Sequence, residues 1–197
     1  MPALLGYWNI RRLAQPIRLM LAYAGEEVEE RRYQIPYYKD GDTIIVQSRA
    51  IMMHLARKHN LCGSTEAERI RADVIASQFY DTFKSFTQVC LATYVYKIDY
   101  KTKKEEFLKS LPDTLKSYSD FLGDNPWVGG NNITYADFNV YEMLDWFKMF
   151  SPGCLVKFPN LIAYCKNFEA LPAIKKYMAS AQFLKTPVWT PYADWNA

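Results

Sequence analysis

Tyr7 and Ser48 are the residues of this chain whose types and positions best suit chemistry. Tyr7 and Trp8 close a short apolar run over residues 4–8, and Gln47 and Ser48 stand just before a helical pattern. In a small α/β unit the ligand site lies beyond the carboxyl ends of the parallel strands, where helix N-termini offer free amides to anionic groups. A serine there can give its hydroxyl and its backbone N–H to a carboxylate. Both residues also have plainer uses, since a tyrosine in a buried strand packs and a serine before a helix caps it. Other chemistries lack their parts. The sequence contains no metal-ligand set, no Gly-rich phosphate loop and no G-x-S-x-G turn. His54 and His59 fall in a segment rich in Arg and Lys and are expected at the surface rather than as bases. No two carboxylates are placed by local spacing for acid–base work.

The elements that must position these residues divide the chain in two. Residues 1–63 alternate strand and helix patterns, as a small α/β unit does. Residues 4–8 read as a buried strand, residues 16–23 as a helix opened by Pro16 and stopped by Gly25, and residues 29–33 as a polar second strand. Asp40-Gly41 between two β-prone runs predicts a hairpin, and Ile51, Met52, Leu55 and Ala56 lie at helical spacing. From residue 64 to 197 the pattern is helical. Thr65 with Glu68 and Thr134 with Asp137 have capping-box spacing, the second with Ile133 and Phe138 placed as a hydrophobic staple. Ile70, Val74, Phe79, Phe83, Phe86 and Cys90 are expected along one side of the first of these helices. Leu108, Leu111, Leu115, Tyr118 and Leu122 form a second stripe, in which Pro112 predicts a kink or junction. The last fifteen residues, with Pro187, Trp189, Pro191 and Trp195, read as an irregular tail lying on the helices.

Composition sets the frame. The 197 residues are half hydrophobic, and 24 Lys and Arg against 21 Asp and Glu leave a formal charge of +3, so disorder is excluded and nothing calls for nucleic acid. The four cysteines form no C-x-x-C pair, which fits free thiols in a reducing compartment. The amino-terminal pattern is neither a signal peptide nor a spanning helix, so a cytoplasmic protein with no membrane partner is expected.

The run from Pro2 to Arg11, followed by Leu13, Ala14, Gln15, Pro16, Ile17, Arg18 and Leu19, resembles the mu class of glutathione S-transferases. Further segments resemble that family in order: residues 36–42, Gln47-Ser48, residues 56–63, Pro126-Trp127, residues 133–138 and residues 158–161. The resemblance implies an α/β plus all-α protein, a thioredoxin-like N-terminal domain followed by an all-helical C-terminal domain. It implies that Tyr7 hydrogen-bonds the glutathione sulfur and favours its thiolate, which attacks hydrophobic electrophiles, with glutathione as co-substrate and neither metal nor other cofactor. Trp8 and Leu13 would line the peptide. Ile35, ahead of the cis-proline position Pro36, would pair with the cysteinyl unit, and Gln47 and Ser48 would hold the γ-glutamyl end. Asp81 would reach the glutathione of a neighbouring subunit, implying a homodimer. The helical part would supply the hydrophobic substrate site and the dimer seam.

The chain departs from that family at three places. Between Tyr33 and Pro36 only Gln34 and Ile35 stand where the family carries roughly twenty residues or more, so the second helix of the thioredoxin unit is expected to be missing. With it go the basic and Trp side chains for the glycyl carboxylate of glutathione. Arg12 stands where the family has Gly; it either crowds the electrophile or turns outward, or points inward and adds positive charge that favours the thiolate. Leu91 replaces a Tyr that polarises the electrophile, with Tyr94 or Tyr96 one turn further on as a substitute or as simple packing. Retention of Tyr7, Trp8, Pro36, Gln47, Ser48 and Asp81 favours a glutathione transferase. The missing segment and Arg12 favour a transferase-derived carrier of apolar ligands or a structural protein.

Overall fold

The computed structural model describes residues 2–32 and 37–196. Its amino-terminal part is a four-stranded mixed sheet in the order β2-β1-β3-β4, formed by β1 (Ala3–Tyr7), β2 (Val28–Arg32), β3 (Tyr37–Asp40) and β4 (Thr43–Val46). β1 pairs in parallel with β2, from Ala3 opposite Val28 to Tyr7 opposite Arg32, and antiparallel with β3. The hairpin turn comes one residue later than Asp40-Gly41: Asp40 pairs with Thr43, and Gly41, at φ 56°, opens the two-residue loop in the left-handed region that glycine accepts. Helices α1 (Gln15–Ala24) and α2 (Ser48–Lys58) bury Ile17, Leu19, Ile51 and Leu55 together with Leu5 and Tyr38 of the sheet. α1 ends as its sequence predicts. Gly25 takes φ 68°, and the amides of Gly25 and Glu26 reach back to the carbonyls of Ala22 and Leu21.

The sheet end away from Tyr7 is closed by Glu26, which accepts from Tyr38, from His59 and from Lys58 Nζ at 2.9 Å. Burial raises the Glu26 carboxyl, but these three partners outweigh it and hold the carboxyl below its ordinary range. His59 is therefore a half-buried structural partner, and His54 lies beside the Tyr38 ring, 5.9 Å between centroids.

The rest is helical: α3 (Glu66–Cys90), α4 (Tyr100–Leu122), α5 (Tyr135–Phe150), α6 (Pro159–Ala170) and α7 (Pro172–Met178). Thr65 and Glu68 form the expected capping box on α3. Phe79, Phe86 and Cys90 are buried, but Ile70 and Val74 are exposed, because Ala72, Ile75 and Ala76 turn the inner face of the first turns. α4 continues through Pro112 as one element, with Leu111, Leu115, Tyr118 and Leu122 buried on both sides of it. α5 is buried on nearly all sides. At its start Asp137, wholly buried, accepts from the Thr134 amide at 2.8 Å and the Val128 amide at 2.9 Å, while burial pushes its carboxyl up to about 6. The tail is irregular and carries Val188 and Trp189 into the core. Among the described residues no helix is long and apolar enough to cross a membrane.

Arg11 joins the two parts. Its side chain is buried, and it donates from Nε and Nη2 to the two oxygens of the fully buried Glu142, at 2.9 and 2.7 Å. Nη2 also reaches Asp145 at 2.7 Å, and Nη1 reaches the Lys185 carbonyl at 3.2 Å. Burial works against the Arg11 charge, but Glu142 and Asp145 more than offset it and hold the guanidinium firmly protonated. Removing one partner of such a pair leaves the other charge buried alone. Arg11→Ala is expected to cost about 3–5 kcal/mol in denaturant unfolding, and the double variant with Glu142→Gln should recover part of that. A change below about 1 kcal/mol, the scale of a surface pair, would contradict this role.

Candidate functional site

The carboxyl ends of β1, β2 and β4 share one edge of the sheet. Tyr7 lies opposite Arg32, Gly6 opposite Tyr37, and Tyr37 opposite Val46. Tyr7 and the Val46-Gln47 junction are therefore two strand spacings apart, about 10 Å, which is the length of three extended residues. Gly6 is required there, because a Cβ would overlap the Tyr37 ring.

Beyond Tyr7 the chain turns sharply, with the Ile10 amide donating to the Trp8 carbonyl at 2.8 Å, and enters a 3-10 turn over Arg12–Ala14. This brings the Leu13 backbone N–H against the Tyr7 hydroxyl. Arg18 of α1 donates to the Ile10 carbonyl at 2.9 Å and to Glu30 at 2.6 Å, and its guanidinium lies 5.9 Å from the centre of the Tyr7 ring. Burial raises the Tyr7 pKa, outweighing the opposing influence of Arg12, the Leu13 amide and Arg18. The phenol thus keeps its proton at neutral pH and is a hydrogen-bond donor. A cavity of about 200 Å³ beside it is lined by Tyr7, Trp8, Asn9, Arg18, Glu30 and Leu184.

At the other end of the edge, Gln47 takes φ 72° and ψ 117° ahead of α2. A non-glycine residue held at positive φ stores strain of about 1–3 kcal/mol, and such positions cluster at functional sites. Ser48, half-buried, is the first residue of α2, where backbone N–H groups are free of helical partners. Arg49 lies over the Tyr80 ring at 5.4 Å and ties the start of α2 to α3.

The structure brings Tyr7, Trp8, Leu13, Gln47 and Ser48 to this one edge; Trp8 is partly exposed and Leu13 half-buried. Ile35 and Pro36 lie outside the described residues. Arg12 points inward, over Trp189 and Phe83, rather than outward. Leu91, one residue past α3, is buried in the main core. Tyr94 lies in a π-helical turn over Ala92–Tyr96, exposed, with its ring 4.6 Å from that of Tyr192. Asp81 is exposed on α3. Among the described residues no cluster of His, Cys, Asp and Glu could hold a metal ion. Sequence reasoning missed the parts of Arg11 and Arg18. Arg18 had a signal, a cation on the helix that follows the Tyr7 strand, whereas the carboxylate partner of Arg11 lies 131 residues away.

A mixed sheet with a parallel β1–β2 pair and an antiparallel hairpin, followed by a helical half, is the thioredoxin-like plus all-helical arrangement expected above. Comparison with known proteins agrees with it. Residues 73–181 match the family model "Glutathione S-transferase, C-terminal domain". The chain is 42% identical to glutathione S-transferase Mu 1 of Rattus norvegicus and 43% identical to glutathione S-transferase Mu 6 of Mus musculus, in each case covering 100% of this chain and 99% of the relative. Both alignments run over 221 residues against the 197 of this chain, so these relatives carry residues that it lacks. Among solved structures, the pi-class glutathione S-transferase of Onchocerca volvulus superposes with a TM-score of 0.85 at 31% identity, covering 98% of this chain and 100% of that one. The glutathione S-transferase Blo t 8 superposes with 0.87 at 29% identity, covering 96% and 98%. The chain belongs to the glutathione S-transferase family, in its mu class, and is a glutathione transferase.

Proposed function

We propose that glutathione lies along the shared sheet edge, with its sulfur at Tyr7 and its γ-glutamyl carboxylate at Gln47 and Ser48. The observation that carries this reading is the buried, protonated Tyr7 hydroxyl at one end of an edge whose other end is the strained Gln47 and the open amides of α2. Trp8 and Leu13 flank the peptide, and the resemblance assigns Ile35 and Pro36 to its cysteinyl unit. A free thiol has a pKa near 8.5, and lowering it by about two units takes roughly 2.7 kcal/mol. One hydrogen bond to a charged group supplies about 1.5–3 kcal/mol, so a single well-aimed phenol nearly suffices. The thiolate then attacks a hydrophobic electrophile placed between Tyr7 and the end of α3, towards Arg12, Leu91 and Tyr94. Positioning supplies the remainder of the acceleration.

In this reading residues 1–63 form the glutathione-binding domain and residues 64–197 supply the electrophile site and the dimer seam. The residues present in the relatives and lacking here belong between Tyr33 and Pro36, so the glycyl carboxylate has no charged partner from that segment. The exposed Ile70 and Val74, spaced by about one turn along α3 and leading to Asp81, support a homodimer seam there. The four cysteines are free, which fits the cytoplasm.

Ultraviolet difference absorbance of the thiolate, titrated against pH in the presence of glutathione, tests the site. Bound thiolate should appear about two units below the free-solution pKa and be lost in Tyr7→Phe. No bound thiolate at millimolar glutathione would contradict the reading and favour a carrier of apolar ligands. Light scattering tests the seam: a dimer is expected, and a monomer at every concentration would count against it.

A further inference from the structure

Arg12 occupies a place that its backbone resists. Its φ is 33°, on the left-handed side that a residue with a Cβ rarely enters. The conformation turns the side chain inward. Its guanidinium carbon lies 4.9 Å from the centre of the Trp189 ring and 5.8 Å from that of Phe83, two rings that stack on each other at 5.7 Å with 11° between their planes. The Arg12 amide donates to the Val188 carbonyl at 3.2 Å, so the tail holds backbone and side chain alike.

The neighbouring arginines are spent on protein partners: Arg11 on Glu142 and Asp145, Arg18 on Glu30. Arg12 is not. Among the described residues its guanidinium pairs with no carboxylate, and its Nε is buried without an acceptor, as is the indole N–H of Trp189 beneath it. A cation clamped by aromatic faces, with its buried Nε lacking a protein acceptor, suits an acceptor that comes and goes with turnover. Its position says which acceptor. Tyr7 and the Leu13 amide serve the sulfur from the sheet side, whereas Arg12 lies on the α3 and tail side, where the electrophile is placed. Its charge still reaches Tyr7, where it is the largest influence opposing burial. Leu91, a buried hydrocarbon at the end of α3, offers no donor.

We infer that Arg12 receives the negative charge that builds on the electrophile, and that it gives this enzyme a preference for conjugated carbonyl acceptors over alkyl halides. The inference rests on the proposed glutathione site. In the favoured reaction the thiol proton has gone to solvent, and the sulfur lone pair forms a C–S bond at the β-carbon. The C=C π pair becomes a new π bond between the α-carbon and the carbonyl carbon, the C=O π pair moves to the oxygen, and the enolate oxygen so formed faces Arg12. The α-carbon then takes a proton from water. With an alkyl halide the C–S bond forms as the carbon–halogen bond breaks, the pair leaves with the halide, and no oxygen anion arises.

The test compares kcat/KM for benzylideneacetone and for benzyl chloride in the wild type and in Arg12 variants. Arg12→Gln should lower the enone-to-halide ratio about tenfold or more, and Arg12→Lys should recover part of it. Arg12→Gly removes the backbone strain together with the charge; it should lower the ratio equally without loss of thermal stability, which separates charge from folding. A ratio unchanged in both the Gln and Gly variants, whether activity falls for both substrates or for neither, overturns the inference. A wild type with no bound thiolate and no turnover of either substrate overturns the glutathione site itself, and the inference with it.

Discussion

The buried ion pair between Arg11 and Glu142 is the contact on which the site depends. Two charges out of water gain from each other only when geometry and further hydrogen bonds are good. Here both Glu142 oxygens are met by Arg11, the Trp146 indole donates to the same carboxylate at 2.7 Å, and Asp145 and the Lys185 carbonyl take remaining donors. The network ties the loop after β1 to the central helix α5 and to the tail. Because Arg11 is held, the next two residues are placed: Arg12 against Trp189, and the Leu13 amide against the Tyr7 hydroxyl. The surroundings of the phenol follow from that anchoring.

The sheet supplies the second constraint. Its mixed topology delivers β1, β2 and β4 to a common edge, so Tyr7 and Gln47, forty residues apart in sequence, stand at the two ends of a span about three extended residues long. Two of the non-glycine residues at positive φ, Arg12 and Gln47, flank that span. Strain at both ends of one edge is what a site held by its surroundings looks like, with the loop bound to α5 on one side and α2 tied to α3 through Arg49 and Tyr80 on the other.

The sequence is legible where the physics is local. The Thr65–Glu68 box, the Gly25 stop and the hairpin depend on neighbours within a few residues, and they stand in the structure with the turn shifted by one position. The α3 stripe failed at Ile70 and Val74 because apolar type alone cannot say which side of a helix a partner covers, and small residues such as Ala72 and Ala76 carry the buried face there. Pro112 was tolerated because packing on either side of it holds α4 together. The direction of Arg12 was open in the sequence, since Trp189 and Phe83 are distant and only the folded tail brings them to it. The strand-end placement of Tyr7 and Ser48 was legible as possibility, and the resemblance gave it a substrate.

Heteronuclear NMR of the labelled chain, titrated with glutathione, tests most directly whether the sheet edge is one binding site. Amide shifts at Tyr7, Trp8, Leu13, Gln47 and Ser48 should move together and saturate with a single dissociation constant, with the indole signal of Trp8 following them. Shifts confined to one end of the edge, or none at millimolar glutathione, would contradict the site.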